Sequence, residues 1–354
     1  MAFLKINNVR IAGLAGAVPD NLVNSHDFDF FSNEDAENFI KTVGVENRYI
    51  APDELCTSDL CFEAAERLIS DLDWKREEIE ILAFESVTRD FRTPPTSCLL
   101  QERLRLPTGC FTLDIPMGCC GFMYALTVVG SMMAPGYLKK ALLLVGDTAT
   151  RMGSPKDKSR VPLFGDGCTA IALEYNKNAH VINAEFNTYG EGSSALITPH
   201  GEFRHPVTPE SFKYHDFGNG VVRAPVHSLI NGMDVFSFAI TKPPKSIEQF
   251  LQICNIDKNK DVDYFLIHQA NKMIVDRIVK KLKLDVSKVP NNLKEYGNLG
   301  GASIPMLMIT NLKKELQERD LFLVLSSFGL GLTWGTMSLK VGRITISEIL
   351  KVKT

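Results

Sequence analysis

Residues 261–284 read "DVDYFLIHQANKMIVDRIVKKLKL". The run from Tyr264 to Ile267 is apolar and unbroken after an acidic start, which marks a strand buried on both faces. After His268 the period changes. Ile274, Ile278 and Leu282 recur every four residues and set one apolar stripe on a helix. A buried strand feeding directly into an amphipathic helix is the building unit of an α/β protein. Three further runs have the same character: "EIEILAFES", "KKALLLVGD" and "RDLFLVLSSFG". Together they predict parallel sheets covered by helices.

The chain also repeats itself. Glu80–Glu85, "EILAFE", can be laid on Asp263–His268, "DYFLIH", 183 residues later. The same offset carries Cys119, in "DIPMGCCGF", onto Ala302, in "GNLGGASIPMLMI". Leu142–Val145 meets Leu323–Ser326 at an offset of 181. Each half then reads strand, helix, strand, Gly-rich turn, apolar helix, strand. The pattern predicts two similar α/β halves, residues 1–176 and 177–354, divided in the polar stretch "YNKNAHV".

Bulk properties narrow the function classes. The formal net charge is −3 and no long basic run occurs, which argues against a nucleic-acid partner. The opening "MAFLKINNVRIAG" alternates polar and apolar residues and reads as one first strand rather than a signal peptide. The most apolar stretch, Gly121–Leu138, is short and interrupted by Gly130, Pro135 and Gly136, so it suits a buried helix and not a membrane span. Eight irregularly spaced cysteines with no CxxC pair predict a reduced, cytoplasmic chain.

If the two halves pack face to face, their equivalent loops converge. Those loops carry Cys119 and Glu85 from the first half, His268 and Asn298 from the second. Gly118 permits a tight turn, and Cys119 stands where an apolar helix begins. A helix N-terminus favours the thiolate, so a lowered thiol pKa is expected there. Such a thiol is suited to attack a thioester and form an acyl-cysteine. The resulting oxyanion needs backbone donors, for which the N–H of Cys119 and an N–H of the "FGLGLTWG" turn are candidates. Cys120 reads as core.

The motifs "DIPMGCCGF", "LFGDGCTAIAL", "IHQANKMI", "YGNLGGASIP" and "FGLGLTWG" resemble those of the β-ketoacyl-acyl-carrier-protein synthase III family, in order and in spacing from Ala51 to Gly335. The resemblance implies a thiolase fold, two duplicated α/β halves in a five-layered αβαβα arrangement, and a homodimer. It also implies a decarboxylative condensation in fatty-acid or related biosynthesis. Cys119 would be the acylated nucleophile. His268 and Asn298 would hydrogen-bond the second thioester and stabilise the enolate formed as malonyl thioester loses carbon dioxide. Leu330 would supply the second oxyanion N–H, although a glycine is usual at that position. Asn271, Phe91, Lys158 and Arg160 are candidate substrate-binding residues. The substrate is a coenzyme A or acyl-carrier phosphopantetheine thioester, and no cofactor or metal is expected.

The departures from the family pattern bear on the donor. Asn38 and Thr42 stand where the family's Trp and Arg grip coenzyme A, and Met273 replaces an arginine. Lys158 or Arg160 is the surviving basic loop residue. Residues 198–228 form an unusually long, His- and Pro-rich segment. Its histidines at 200, 205, 215 and 227 match no standard metal-ligand spacing, and the segment is expected to shape or cover the acyl pocket. Two other functions compete: a thiolase-fold acyltransferase or non-decarboxylating enzyme assisted by Glu85, and a non-catalytic subunit that only binds acyl chains. The presence of Cys119, His268 and Asn298 together argues against the last.

Overall fold

The computed structural model describes residues 2–353. The predicted strands form two main sheets. In the first, Phe111–Ile115, Ile81–Glu85, Lys140–Asp147, Gly167–Tyr175 and Val9–Pro19 lie in that order, with the short strands Thr345–Ile346 and Leu350–Val352 added beside Val9–Pro19. The second orders Tyr264–Ile267, Asp320–Gly329, Thr333–Gly342, Ile182–Thr188 and Ala2–Ile6.

Both sheets are mixed, which corrects the all-parallel expectation. The four runs that suggested parallel strands do pair that way, Ile81–Glu85 with Lys140–Asp147 and Tyr264–Ile267 with Asp320–Gly329. The strands that follow return antiparallel. Only the Leu330–Leu332 turn separates Gly329 from Thr333, far too little chain for the crossover that a parallel pair requires.

Alternation along the central strands builds the layers. Ala141, Leu143 and Val145 face a core shared by both sheets, while Leu142 and Leu144 face an outer one. In the second sheet Leu321, Leu323 and Leu325 face the shared core and Val324 the opposite outer layer. Between the sheets lie two helices, Gly121–Met133 and Ser303–Asn311, whose Phe122, Met123, Leu126, Met306 and Leu307 are all buried there. The helix Thr57–Asp71 covers the first sheet; Lys242–Ile253 and Lys272–Leu282 cover the second. The result is five layers, helix, sheet, helices, sheet, helix. No helix among the described residues is long and apolar enough to cross a membrane.

Two sequence readings change in detail. Around the central helices the repeat runs at 182 rather than 183 residues. Gly118 (φ 60°) and Gly300 (φ 57°) each open a single 3₁₀ turn, Gly118–Cys120 and Gly300–Ala302. Cys119 is therefore equivalent to Gly301, not Ala302. The opening strand is also two strands. Asn8 takes a left-handed backbone (φ 63°), and the chain turns there. Ala2–Ile6 pairs with Ile182–Thr188 in the second sheet, and Val9–Pro19 pairs with Gly167–Tyr175 in the first.

Candidate active site

The two adjacent cysteines divide their roles by direction. Cys120 is fully buried, its Sγ donates to the Thr333 carbonyl at 3.5 Å, and burial pushes its thiol up to about 12. It belongs to the core. Cys119 is half-buried and lines a cavity between the halves. Its Sγ lies against Gly329, where a Cβ would come within 2.6 Å of the sulfur. Ser327 Oγ donates to the Cys119 carbonyl at 2.5 Å and ties the turn to the second sheet.

Burial raises the Cys119 thiol to about 11, with the Leu330 N–H and its own N–H pulling it down and Asp147 pushing it up. The lowered pKa expected at a helix start is therefore not what the site delivers. Desolvation of the anion outweighs the local donors. The resting group is a thiol, and its proton leaves as attack proceeds. Both predicted oxyanion donors, the N–H groups of Cys119 and Leu330, converge on the sulfur.

His268 follows the strand Tyr264–Ile267, and its N–H bonds the Ser326 carbonyl at 2.9 Å. Its ring meets Phe328 edge-on at 5.5 Å. Burial lowers its pKa to about 4, so the imidazole is neutral, and no protein group bonds its buried Nδ1. Asn298 is 4% exposed and its Oδ1 accepts the Gly300 N–H at 2.9 Å. That bond fixes the amide and leaves Nδ2 as its donating end. The three residues are joined through short steps of backbone. Phe328 touches His268, and Gly329 beside it touches Cys119; Asn298 bonds Gly300, which lines the cavity with Cys119.

Glu85 is wholly buried between the starts of the two central helices. A Cβ on Gly121 would fall 1.8 Å from its Oε1, and one on Gly301 would fall 2.4 Å from its Oε2. Only glycine fits at both places. The N–H groups of Gly118 and Met117 approach the carboxyl, but neither oxygen makes a bond of proper geometry. Burial first, and the charge of Asp147 second, push Glu85 well above the usual carboxylate range. The shift favours the protonated acid. It sits behind Gly118 rather than among the residues that line the cavity.

Asp147 escaped the sequence reading. It ends the strand Lys140–Asp147, lines the cavity, and its Oδ1 accepts Ser86 Oγ (2.9 Å), Val87 N (2.8 Å) and Thr88 Oγ1 (3.2 Å). Burial raises it to about 6 despite those donors. At the 182-residue offset of the central turns, rather than the 181 read for this strand from the sequence, Asp147 is the equivalent of Gly329 at the end of a matched strand.

The candidate substrate residues scatter. Arg160 is 6% exposed and lines the same cavity as Cys119, a different place from the expected coenzyme A loop. Lys158 is exposed, with its Nζ 5.7 Å from the centre of the Phe30 ring. Phe91 is exposed and outside the cavity of this chain. Asn271 spends its Oδ1 on the N-terminus of Lys272–Leu282, accepting the Ile274 N–H at 2.9 Å. Asn38, Thr42 and Met273 lie on the surface. The 198–228 segment does contribute to the cavity wall, through Thr198 and Ser228. His200 and His205 stack at 5.3 Å, and no group of three or more metal-binding side chains occurs among the described residues.

Comparison with known proteins places the fold and the family. Residues 113–190 match the family model for 3-oxoacyl-[acyl-carrier-protein] synthase III, and residues 255–341 match its C-terminal model. The chain is 32% identical over 343 residues to β-ketoacyl-[acyl-carrier-protein] synthase III of Streptococcus pneumoniae strain Hungary19A-6, covering 96% of this chain and 100% of that protein. A solved 3-oxoacyl-(acyl-carrier protein) synthase from Burkholderia xenovorans LB400 superposes with a TM-score of 0.92 at 34% identity over 99% of both chains. The synthase III of Pseudomonas aeruginosa PAO1 gives 0.80 at 26%, covering 96% of this chain and 99% of that one. Xanthomonas campestris OleA, at 20% identity and a TM-score of 0.78, covers 96% of this chain and 98% of its own and shares the fold.

Proposed function

The chain belongs to the β-ketoacyl-acyl-carrier-protein synthase III family of thiolase-fold acyltransferases, and from that premise we propose that it condenses an acyl group held on Cys119 with a malonyl thioester. The reading rests above all on the convergence of the Cys119 and Leu330 N–H groups at the Cys119 sulfur.

Cys119 Sγ attacks the acyl thioester carbonyl, and its proton passes to the departing thiolate of the donor. The carbonyl oxygen takes the negative charge where the two N–H groups already point. The malonyl thioester then enters with its carbonyl oxygen at the neutral His268 imidazole and Asn298 Nδ2. The bond to the carboxylate breaks, carbon dioxide leaves, and its electron pair forms the enolate held by those donors. The enolate carbon attacks the acyl-cysteine carbonyl. Collapse of the tetrahedral centre expels the Cys119 thiolate, which takes a proton from solvent, and releases a β-ketoacyl thioester. A neutral histidine suits this step, because its ring N–H donates a hydrogen bond to the enolate oxygen without giving up the proton.

The donor is a carrier-protein or coenzyme A thioester. The loss of coenzyme A grips at Asn38, Thr42 and Met273 favours the carrier protein. A groove floored by Val275, Val279 and Val286 and edged by Lys280 and Lys283 offers an acidic carrier a matching face. The enzyme works as a homodimer in the cytoplasm, in fatty-acid or related biosynthesis. Intact-mass measurement after exposure to acyl thioesters tests the reading: one acyl mass must appear on the wild type and vanish in Cys119→Ala but not in Cys120→Ala.

One observation favours a second reading. Glu85 is a buried carboxyl beside the Cys119 turn whose burial favours the acid form, a group that decarboxylation does not need. An acyltransferase or non-decarboxylating condensation would use it to move a proton. Selective loss of turnover with a non-malonyl acceptor in Glu85→Gln would move the function to that reading.

A further inference from the structure

Arg160 is a cation without a counter-ion. It is 6% exposed, and no carboxylate lies within ion-pair distance of its guanidinium among the described residues. Its Nη2 donates to the Ala149 carbonyl at 2.9 Å and its guanidinium lies 4.2 Å over the Phe164 ring, while Nε has no partner. The two acids nearest in charge are otherwise engaged. Asp157 Oδ1 accepts from Ser159, and its Oδ2 faces Arg223 at 3.6 Å. Asp166 accepts from Ala51 and from Thr150.

A second group in the same cavity is equally unpaired. Ser228 Oγ is buried with no hydrogen-bond partner, and Ser228 and Arg160 both line the space that Cys119 opens into. The rest of that wall is largely apolar, including Met152, Phe164, Ile197 and Leu229. A pocket meant for a plain alkyl chain gains nothing from a buried guanidinium and an unpaired hydroxyl; both are costly until something bonds them. The cavity leaves about 80 Å³ for the centres of water-sized groups, room for roughly five to eight of them. That suits a short acyl group with a polar end.

We propose that Arg160 and Ser228 form a subsite for a carboxylate at the far end of the acyl group carried on Cys119. The preferred primer is then a short ω-carboxyacyl thioester, of the size of a succinyl group. A guanidinium binds a carboxylate through paired, charge-assisted bonds, and a serine hydroxyl adds a third donor. The inference rests on the acyl-transfer reading above and adds the class of acyl group.

The experiment compares wild type, Arg160→Met and Ser228→Ala. Each is acylated with succinyl-pantetheine and with 4-methylpentanoyl-pantetheine, the uncharged isostere, and followed by intact mass. Malonyl-pantetheine decarboxylation is measured alongside. The wild type is expected to take the succinyl group at least about tenfold faster, a modest share of what a site built for hydrogen bonds can discriminate. Arg160→Met should reverse that preference and Ser228→Ala should weaken it. A wild type that prefers 4-methylpentanoyl overturns the proposal without any variant, so a poorly folded Arg160→Met does not shield it. Equal slowing of both primers by Arg160→Met assigns the arginine to the thiol and also overturns it. A change in malonyl decarboxylation with the primer ratio intact assigns the anion to the extender and overturns it too. If no thioester labels Cys119 in any protein, the acyl-transfer reading itself falls and takes this one with it.

Discussion

Glu85 and His268 occupy equivalent strand ends, one in each half, and both are buried almost completely. Burial acts on them in opposite directions. It raises the carboxyl well above its ordinary range and lowers the imidazole to about 4. The outcome is alike: both shifts favour the uncharged form. The surroundings then separate them. Glu85 is wedged against two glycines, whereas His268 meets the edge of Phe328; each keeps polar atoms without a protein partner. Neither Glu85 nor His268 lines the cavity that Cys119 opens into, so the proposed division of labour between them is a matter for experiment.

The sharpest test of the asymmetry lies at the two 3₁₀ turns. Their backbones match, but one carries Cys119 and the other Gly301. Cys119→Ala makes the first resemble the second and should cut condensation by about 10⁴-fold or more, read as product formation over background. Full activity in that variant would place the nucleophile elsewhere.

Next in size is the second half's donor pair. His268→Ala and Asn298→Ala should each slow malonyl decarboxylation by roughly 10²–10³-fold, while acylation of Cys119 changes far less. Equal effects on the two half-reactions would break the proposed division of labour.

The two strand ends should also leave opposite marks on stability against pH. The imidazole has a folded pKa of about 4 against 6.5 ordinarily. Its contribution is present above pH 6.5 and is lost as pH falls towards 4, by up to about 3 kcal/mol. Glu85 is raised from 4.5, so its contribution is present in acid and is lost as pH rises through its folded value. Urea titrations across pH should show His268→Asn flattening the acid limb and Glu85→Gln flattening the alkaline one. Parallel curves for both variants and wild type would refute the charge states.

The smallest expected effect concerns fit. Gly121→Ala drives a Cβ to 1.8 Å from Glu85 Oε1 and should cost about 2 kcal/mol of folding stability. The double variant Gly121→Ala, Glu85→Ala should recover part of that loss, a non-additivity expected only for touching residues.

Much of this was legible in the sequence because it is written in period and punctuation. The apolar runs ending at Glu85, Asp147 and His268 are strands, and the turn before Cys119 is where the glycine put it. The unreadable parts depend on what packs behind a residue. The dipole of a helix start can be inferred from sequence; the desolvation that overrides it at Cys119 cannot. Arg160 reads as a basic loop residue for the substrate, and only the fold shows that it and Ser228 of the long 198–228 segment line one cavity. Asn271 reads as a substrate ligand because its motif is conspicuous, yet its carbonyl oxygen closes a helix. The split at Asn8 was hidden because alternation continues on both sides of it.

The two sheets also trade their ends. Ala2–Ile6 lies in the sheet of the second half, and Thr345–Ile346 and Leu350–Val352 lie in the sheet of the first. Each half therefore borrows its outermost strand from the other. Neither half can therefore complete its sheet when the other is cut away. The proposed catalytic set, Cys119 from one half with His268 and Asn298 from the other, thus sits between two sheets that hold each other's edges.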